Sequence, residues 1–134
     1  MTDALIPDNR LRARLRAGER GVGTMVAELR QPAVMQLLAN AGFDFVIVDG
    51  EHGPFGPETV ADLVRAAVAC GVTPIVRVPG CDYTPIAQAL DAGAQGVILG
   101  CTEITLLIGP QDSRIPVFDS TRIHVEHAVD LALI

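Results

Sequence analysis

The stretch VIVDGEHGP sets a carboxylate, Asp49, three residues ahead of an imidazole, His52, just after an apolar run. A carboxylate beside an imidazole fixes its tautomer and raises its basicity, which makes a general base near neutral pH. The same spacing also suits a histidine that merely caps a loop among solvated acids. In PIVRVPG, Arg77 interrupts an apolar strand, so its charge must reach either an anionic ligand or a neighbouring acid. A guanidinium can grip a carboxylate through two parallel hydrogen bonds, and an internal ion pair with Asp49 or Glu51 is the alternative. Cys101 in ILGCTE ends another apolar run. A helix N-terminus after it would favour the thiolate, whereas a buried inert thiol is the common role of a free cysteine. Cys81 in PGCDYT is a second thiol at a strand end, and Cys70 reads as packing. His124 and His127 lie three apart, with no third ligand at a metal-like spacing, and read as a solvated face.

The elements that must hold these groups alternate in type. Five β-rich runs, VGTMVAE (22–28), FDFVIVDG (43–50), TPIVRVPG (73–80), QGVILGC (95–101) and IPVFDS (115–120), are separated by helical periodicity. Val60, Leu63, Val64, Ala67 and Val68 make one apolar helix face, and Val125, Ala128, Val129, Ala132 and Leu133 make another. Two further helices are expected to stop at Gly42 and Gly93. Strands joined by crossover helices pair in parallel, so the expected fold is α/β with about five βα units. Half of a TIM barrel and a flavodoxin-like three-layer sandwich both satisfy that pattern. In either, ligands sit at the C-terminal strand ends. Those ends carry Glu28, Asp49 to His52, Arg77 to Cys81, Cys101 to Glu103, and Asp119 to Thr121.

Bulk composition narrows the classes. A chain of 134 residues suffices for one domain, and with no Trp its core must be aliphatic. The net charge of −6 argues against a nucleic-acid footprint. The arginine-rich NRLRARLRAGER reads as a solvated N-terminal helix rather than a membrane-surface one, its apolar face being only Leu11 and Leu15. No apolar run approaches the ~20 residues of a bilayer span, and MTDALIPDNR lacks the pattern of a signal peptide. Three cysteines at no metal-like spacing suit a reducing cytoplasm.

LLANAGFDFVIVDGEHGPF, PIVRVPG and IAQALDAGAQGVIL, in that order, resemble the N-terminal half of the HpcH/HpaI aldolase and citrate lyase family, the metal-dependent pyruvate aldolases, over residues ~9–99. The resemblance implies His52 as catalytic base, Asp49 as its support and Arg77 as the group binding the pyruvate carboxylate and oxygen. It further implies a divalent metal, Mg or Mn, that polarises a 2-oxo acid for reversible aldol cleavage. The family's metal carboxylates come from later strands, and Glu103, Asp112 and Asp119 do not stand in that ligand motif, so the metal ligands in this chain are unknown.

From LGCTEI to Ile134, the ending PVFDSTRIHVEHAVDLAL resembles the C-terminal end of aspartate/glutamate racemases, which implies Cys101 as one of two catalytic thiols. The expected organisation is one α/β domain over 1–134, aldolase-like over 9–99 and racemase-like over 100–134, as in a truncated fusion or chimera. The functions that follow are an aldolase-derived domain binding a small anionic 2-oxo acid, a cofactor-independent amino-acid racemase using Cys101, or a non-catalytic scaffold. Neither nucleic acid nor membrane is an expected partner, and half-barrels covering each other's sheet edges would form a homo-oligomer.

Overall fold

The computed structural model describes residues 9–80, 83–91, 94, 96–106, 108–113 and 115–133. They fall in two compact units, Met1–Ala92 and Gly93–Ile134. In the first, α1 (Arg10–Arg16) is followed by β1 (Gly23–Val26), α2 (Ala33–Asn40), β2 (Phe45–Asp49), α3 (Pro57–Ala69), β3 (Thr73–Arg77) and α4 (Tyr83–Asp91). The second holds β4 (Val97–Leu99), two single 3₁₀ turns (Ile104–Leu106 and Pro110–Asp112), β5 (Val117–Asp119) and α5 (Ser120–Ala132).

All five expected strands form among the described residues, and every pairing there is parallel. Among the described residues their hydrogen bonding divides into a ladder β1-β2-β3 and a ladder β4-β5. In the first ladder Val26 pairs with Val48, Val48 with Val76, and Asp49 with Arg77. Alternation therefore turns Val26, Val46 and Val48 to one face, where they pack with Met35, Leu63, Ala67 and Val72 into an aliphatic core. The face carrying Met25, Ile47 and Ile75 is more open, and Asp49 and Arg77 stand at its C-terminal end.

Local chemistry sets the boundaries. Pro57 opens α3 behind the N-cap Gly56, and Gly42 and Gly71 follow α2 and α3 at φ 87° and 76°. Those left-handed conformations favour glycine and let Phe43 N–H and Val72 N–H close onto the Leu38 and Ala67 carbonyls. Asn9 caps α1 by accepting from Arg12 N–H, and it also accepts from the Thr73 hydroxyl, which ties the helix to the start of β3. The expected stop at Gly93 lies outside the described residues.

Of the two apolar helix faces, that of α3 is filled at its centre, with Leu63, Val64 and Ala67 buried, Val60 half-buried and Val68 exposed. The face of α5 is not: Val125, Val129 and Leu133 are exposed, contrary to the packing that their spacing suggests. The reason is scale, since the ladder beside this 13-residue helix has two strands of three residues each.

Candidate active site

The site is built on the Asp49–Arg77 register pair and the turn after β2. Asp49 is buried, its side chain 3% exposed, in a position where an ion persists only if its hydrogen bonds are satisfied. Its Oδ1 accepts the backbone N–H groups of Glu51 and His52 at 3.0 and 3.1 Å. Its Oδ2 meets His52 Nδ1 at 3.3 Å and Arg77 Nη1 at 3.4 Å. The His52 backbone N–H, opposed by burial and followed by the Glu51 N–H, Arg77 and the His52 ring, holds the Asp49 carboxyl below the usual carboxylate range.

That arrangement is made by the turn itself. Gly53 N–H donates to the Asp49 carbonyl at 3.0 Å, folding the chain back so that His52 faces the carboxylate three residues earlier. A Cβ on Gly53 would stand 2.4 Å from the Asp49 carbonyl oxygen and 2.5 Å from that of Ala27, so no side chain fits there. Gly50 N–H continues the ladder to the Arg77 carbonyl at 2.9 Å. With Nδ1 donating to Asp49, the lone pair of His52 is left on Nε2, on a ring whose side chain is 64% exposed. This is the geometry of a base oriented by an acid and open to a substrate.

Arg77 takes both acid partners that its sequence context offered. Besides Asp49, its Nε lies 2.5 Å from Glu51 Oε2. Glu51 also approaches His52 Nδ1, at 3.9 Å. A pocket of about 130 Å³ borders Gly50 and Arg77 and is otherwise lined by residues such as Phe55, Val60, Val76, Pro79 and Pro85. Arg77 is its one ionisable lining residue.

Among the described residues, Asp49, Glu51 and His52 are the one group of three ligating side chains whose donor atoms all lie within 4.8 Å of one another. Two oxygens and an imidazole nitrogen suit Mg or Mn by type. Their surroundings do not. Asp49 already accepts four N–H donors, and the guanidinium stands against both carboxylates where a cation would sit. As arranged, this trio fits Arg77 and not a divalent ion.

Cys101 belongs to the second unit, where it is an exposed free thiol shortly after β4. Nearby Glu103 is held below the usual carboxylate range by its own backbone N–H, then by the side chains of Thr102 and Cys101. Asp119 N-caps α5 by accepting Arg122 N–H at 2.9 Å, and Ser120 Oγ donates to the Leu99 carbonyl at 2.7 Å. These two rim residues therefore close their own βα turn. His124 and His127 are exposed on α5, and Cys81 lies outside the described residues. The sequence pattern offers Glu51 only as a possible partner of Arg77, and it assigns no role to Gly53, the second residue that shapes the site. A glycine directly after the acid-histidine spacing was the available signal for the second.

The profile of the HpcH/HpaI aldolase/citrate lyase family matches residues 24–106. The chain belongs to this family. It is 37% identical over 94 residues to a hydroxypyruvate/pyruvate aldolase of Sagittula stellata, covering 70% of this chain and 37% of that protein. It is 39% identical over 101 residues to a 4-hydroxy-2-oxovalerate aldolase of Novosphingobium aromaticivorans, covering 72% and 37%. The crystal structure of an HpcH/HpaI aldolase from Desulfitobacterium hafniense superposes with a TM-score of 0.60 at 36% identity, covering 66% of this chain and 34% of that one. The chain thus spans little more than a third of the length of the relatives it matches. The family match continues through Gly100 to Leu106, past the point where the racemase resemblance begins, and neither relative described here is a racemase.

Proposed function

We propose that this chain carries the oxo-acid-binding and proton-transfer part of a pyruvate-type aldolase site. The observation that carries the reading is the sharing of one buried carboxylate oxygen, Asp49 Oδ2, between His52 and Arg77. One anion thereby orients both a base and a carboxylate-binding cation. Membership of an aldolase/lyase family supports the reaction class, and relatives whose names specify hydroxypyruvate, pyruvate and 4-hydroxy-2-oxovalerate support a small 2-oxo acid as the substrate class.

In the cleavage direction, Arg77 holds the substrate carboxylate and His52 Nε2 removes the proton of the hydroxyl group. The carbon–carbon bond next to that hydroxyl breaks, an aldehyde leaves, and the electron pair passes into the 2-oxo group as an enolate. The proton on His52 then returns to the enolate carbon and gives the shorter oxo acid. Such a base contributes about 10²- to 10⁴-fold. The divalent cation implied by the family resemblance would supply Lewis-acid polarisation of the oxo group. Its ligands are sought outside the Asp49–Glu51–His52 trio.

Exchange of the pyruvate methyl protons with solvent deuterium, followed by NMR with magnesium or manganese added, tests the assignment. It should occur with the chain as it stands and collapse in His52→Ala. Exchange unchanged in that variant removes His52 from the role of base, and none in the parent protein removes the catalytic reading.

A second reading rests on the exposed thiol of Cys101 beside Glu103. It is racemase-like proton transfer at an amino-acid α-carbon, which requires a thiolate and a second acid–base group on the opposite face. Deuterium entering the α-position of aspartate or glutamate, and lost in Cys101→Ser, would favour it. The exposed thiol and the half-buried Cys70 suit a reducing compartment.

A further inference from the structure

We infer that Glu51 is an internal stand-in for the substrate carboxylate, occupying the edge of Arg77 that an oxo acid must take and so setting the affinity for anions. This rests on the reading of Arg77 as the carboxylate grip. A guanidinium offers two bidentate edges, Nε with Nη2 and Nη1 with Nη2. Nη1 donates to Asp49 at 3.4 Å, and Glu51 Oε2 stands 2.5 Å from Nε as an ion pair that blocks approach to that nitrogen.

The two acids differ in how firmly they are held. Asp49 is buried and fixed by two backbone N–H groups and the His52 ring. The side chain of Glu51 is 40% exposed, and Arg77 is its main ionic partner among the described residues, with the His52 ring more distant. An incoming carboxylate therefore displaces Glu51, not Asp49, and enters on the Nε–Nη2 edge. Glu51 swings into water, where hydration compensates for the broken ion pair. Asp49 keeps Arg77 aimed throughout.

The decisive feature is the sign of the effect. A Glu51 that merely positioned Arg77 would weaken anion binding when neutralised, whereas a competitor would strengthen it. Half-exposed ion pairs are weak and the nearby negative charge also repels an anion, so Glu51→Gln should bind pyruvate roughly three- to tenfold more tightly.

Titration calorimetry with pyruvate on the parent chain, Glu51→Gln, Arg77→Met and the double variant tests this, with Glu51→Ala as the second exchange and circular dichroism confirming the fold. Tighter binding in both Glu51 variants that vanishes in the Arg77→Met background supports the inference. Unchanged or weaker binding in the Glu51 variants, with Arg77→Met still abolishing it, overturns the inference and leaves Arg77 as the grip. A gain that persists without Arg77 also overturns it. No pyruvate binding in the parent or in either Glu51 variant overturns both the grip and the competition.

Discussion

Replacing Asp49 by asparagine probes the site at the atom where its groups meet. The side chain keeps its shape and loses its charge. Two backbone N–H groups, from Glu51 and His52, converge on Oδ1 at 3.0 and 3.1 Å, so the amide oxygen is held there. The amide NH₂ is then turned toward His52 Nδ1 and Arg77 Nη1, which stand 3.3 and 3.4 Å from Oδ2 in the native chain. Two donors face a donor. His52 relieves its half of the conflict by moving its proton to Nε2, and the nitrogen that should accept a proton now carries one. The loss should approach that of removing the base, about 10²- to 10⁴-fold in pyruvate proton exchange. Arg77, deprived of its buried counterion, relies on Glu51 alone.

The assay is deuterium incorporation into pyruvate, compared among Asp49→Asn, His52→Ala and the parent chain, with circular dichroism as the folding control. Asp49→Asn should fall within about tenfold of His52→Ala, because both remove the same general-base contribution. A folded Asp49→Asn variant exchanging at nearly the parental rate would refute the argument that this carboxylate selects the tautomer.

Three further outcomes follow from the same geometry. Gly53→Ala forces a methyl group against the Asp49 and Ala27 carbonyl oxygens, and overpacking of this kind should cost about 1–3 kcal/mol in urea unfolding while also slowing exchange. Leu63→Ala empties a fully buried position in the core and should cost about 2–5 kcal/mol, with loss of exchange only where the fold itself is lost. Asp44 accepts the Val22 N–H at 2.8 Å and pairs with Arg14, which together hold its carboxyl below the usual range, the backbone N–H foremost. Its contribution is present above the ordinary carboxylate value of about 3.9 and disappears as pH falls through that value toward the lower folded one. Asp44→Asn should therefore be less stable at neutral pH and lose less stability between about pH 5 and 2 in acid titrations of the melting temperature.

The strands were legible because β-rich runs bounded by glycine and polar residues carry a local signal, and so was the α3 face, which is filled by Leu63, Val64 and Ala67. The α5 face shows the limit of that signal. Periodicity identifies which side of Val125, Val129 and Leu133 is apolar, but the layer that would cover it is a property of other segments. The site divides along the same line. The Asp49–His52 spacing is local, so the base and its orienting acid could be read together. For Arg77 the sequence left open an anionic ligand or an ion pair with Asp49 or Glu51, because its place is fixed by register: a slip of one residue between β2 and β3 would send it to the opposite face from Asp49. Register also explains why Glu51 was undervalued. In sequence it is one of two acids that could pair with Arg77. Only after pairing brings Arg77 beside that loop does Glu51 stand against its Nε, where a residue that looks like surface charge is placed to compete with an anion.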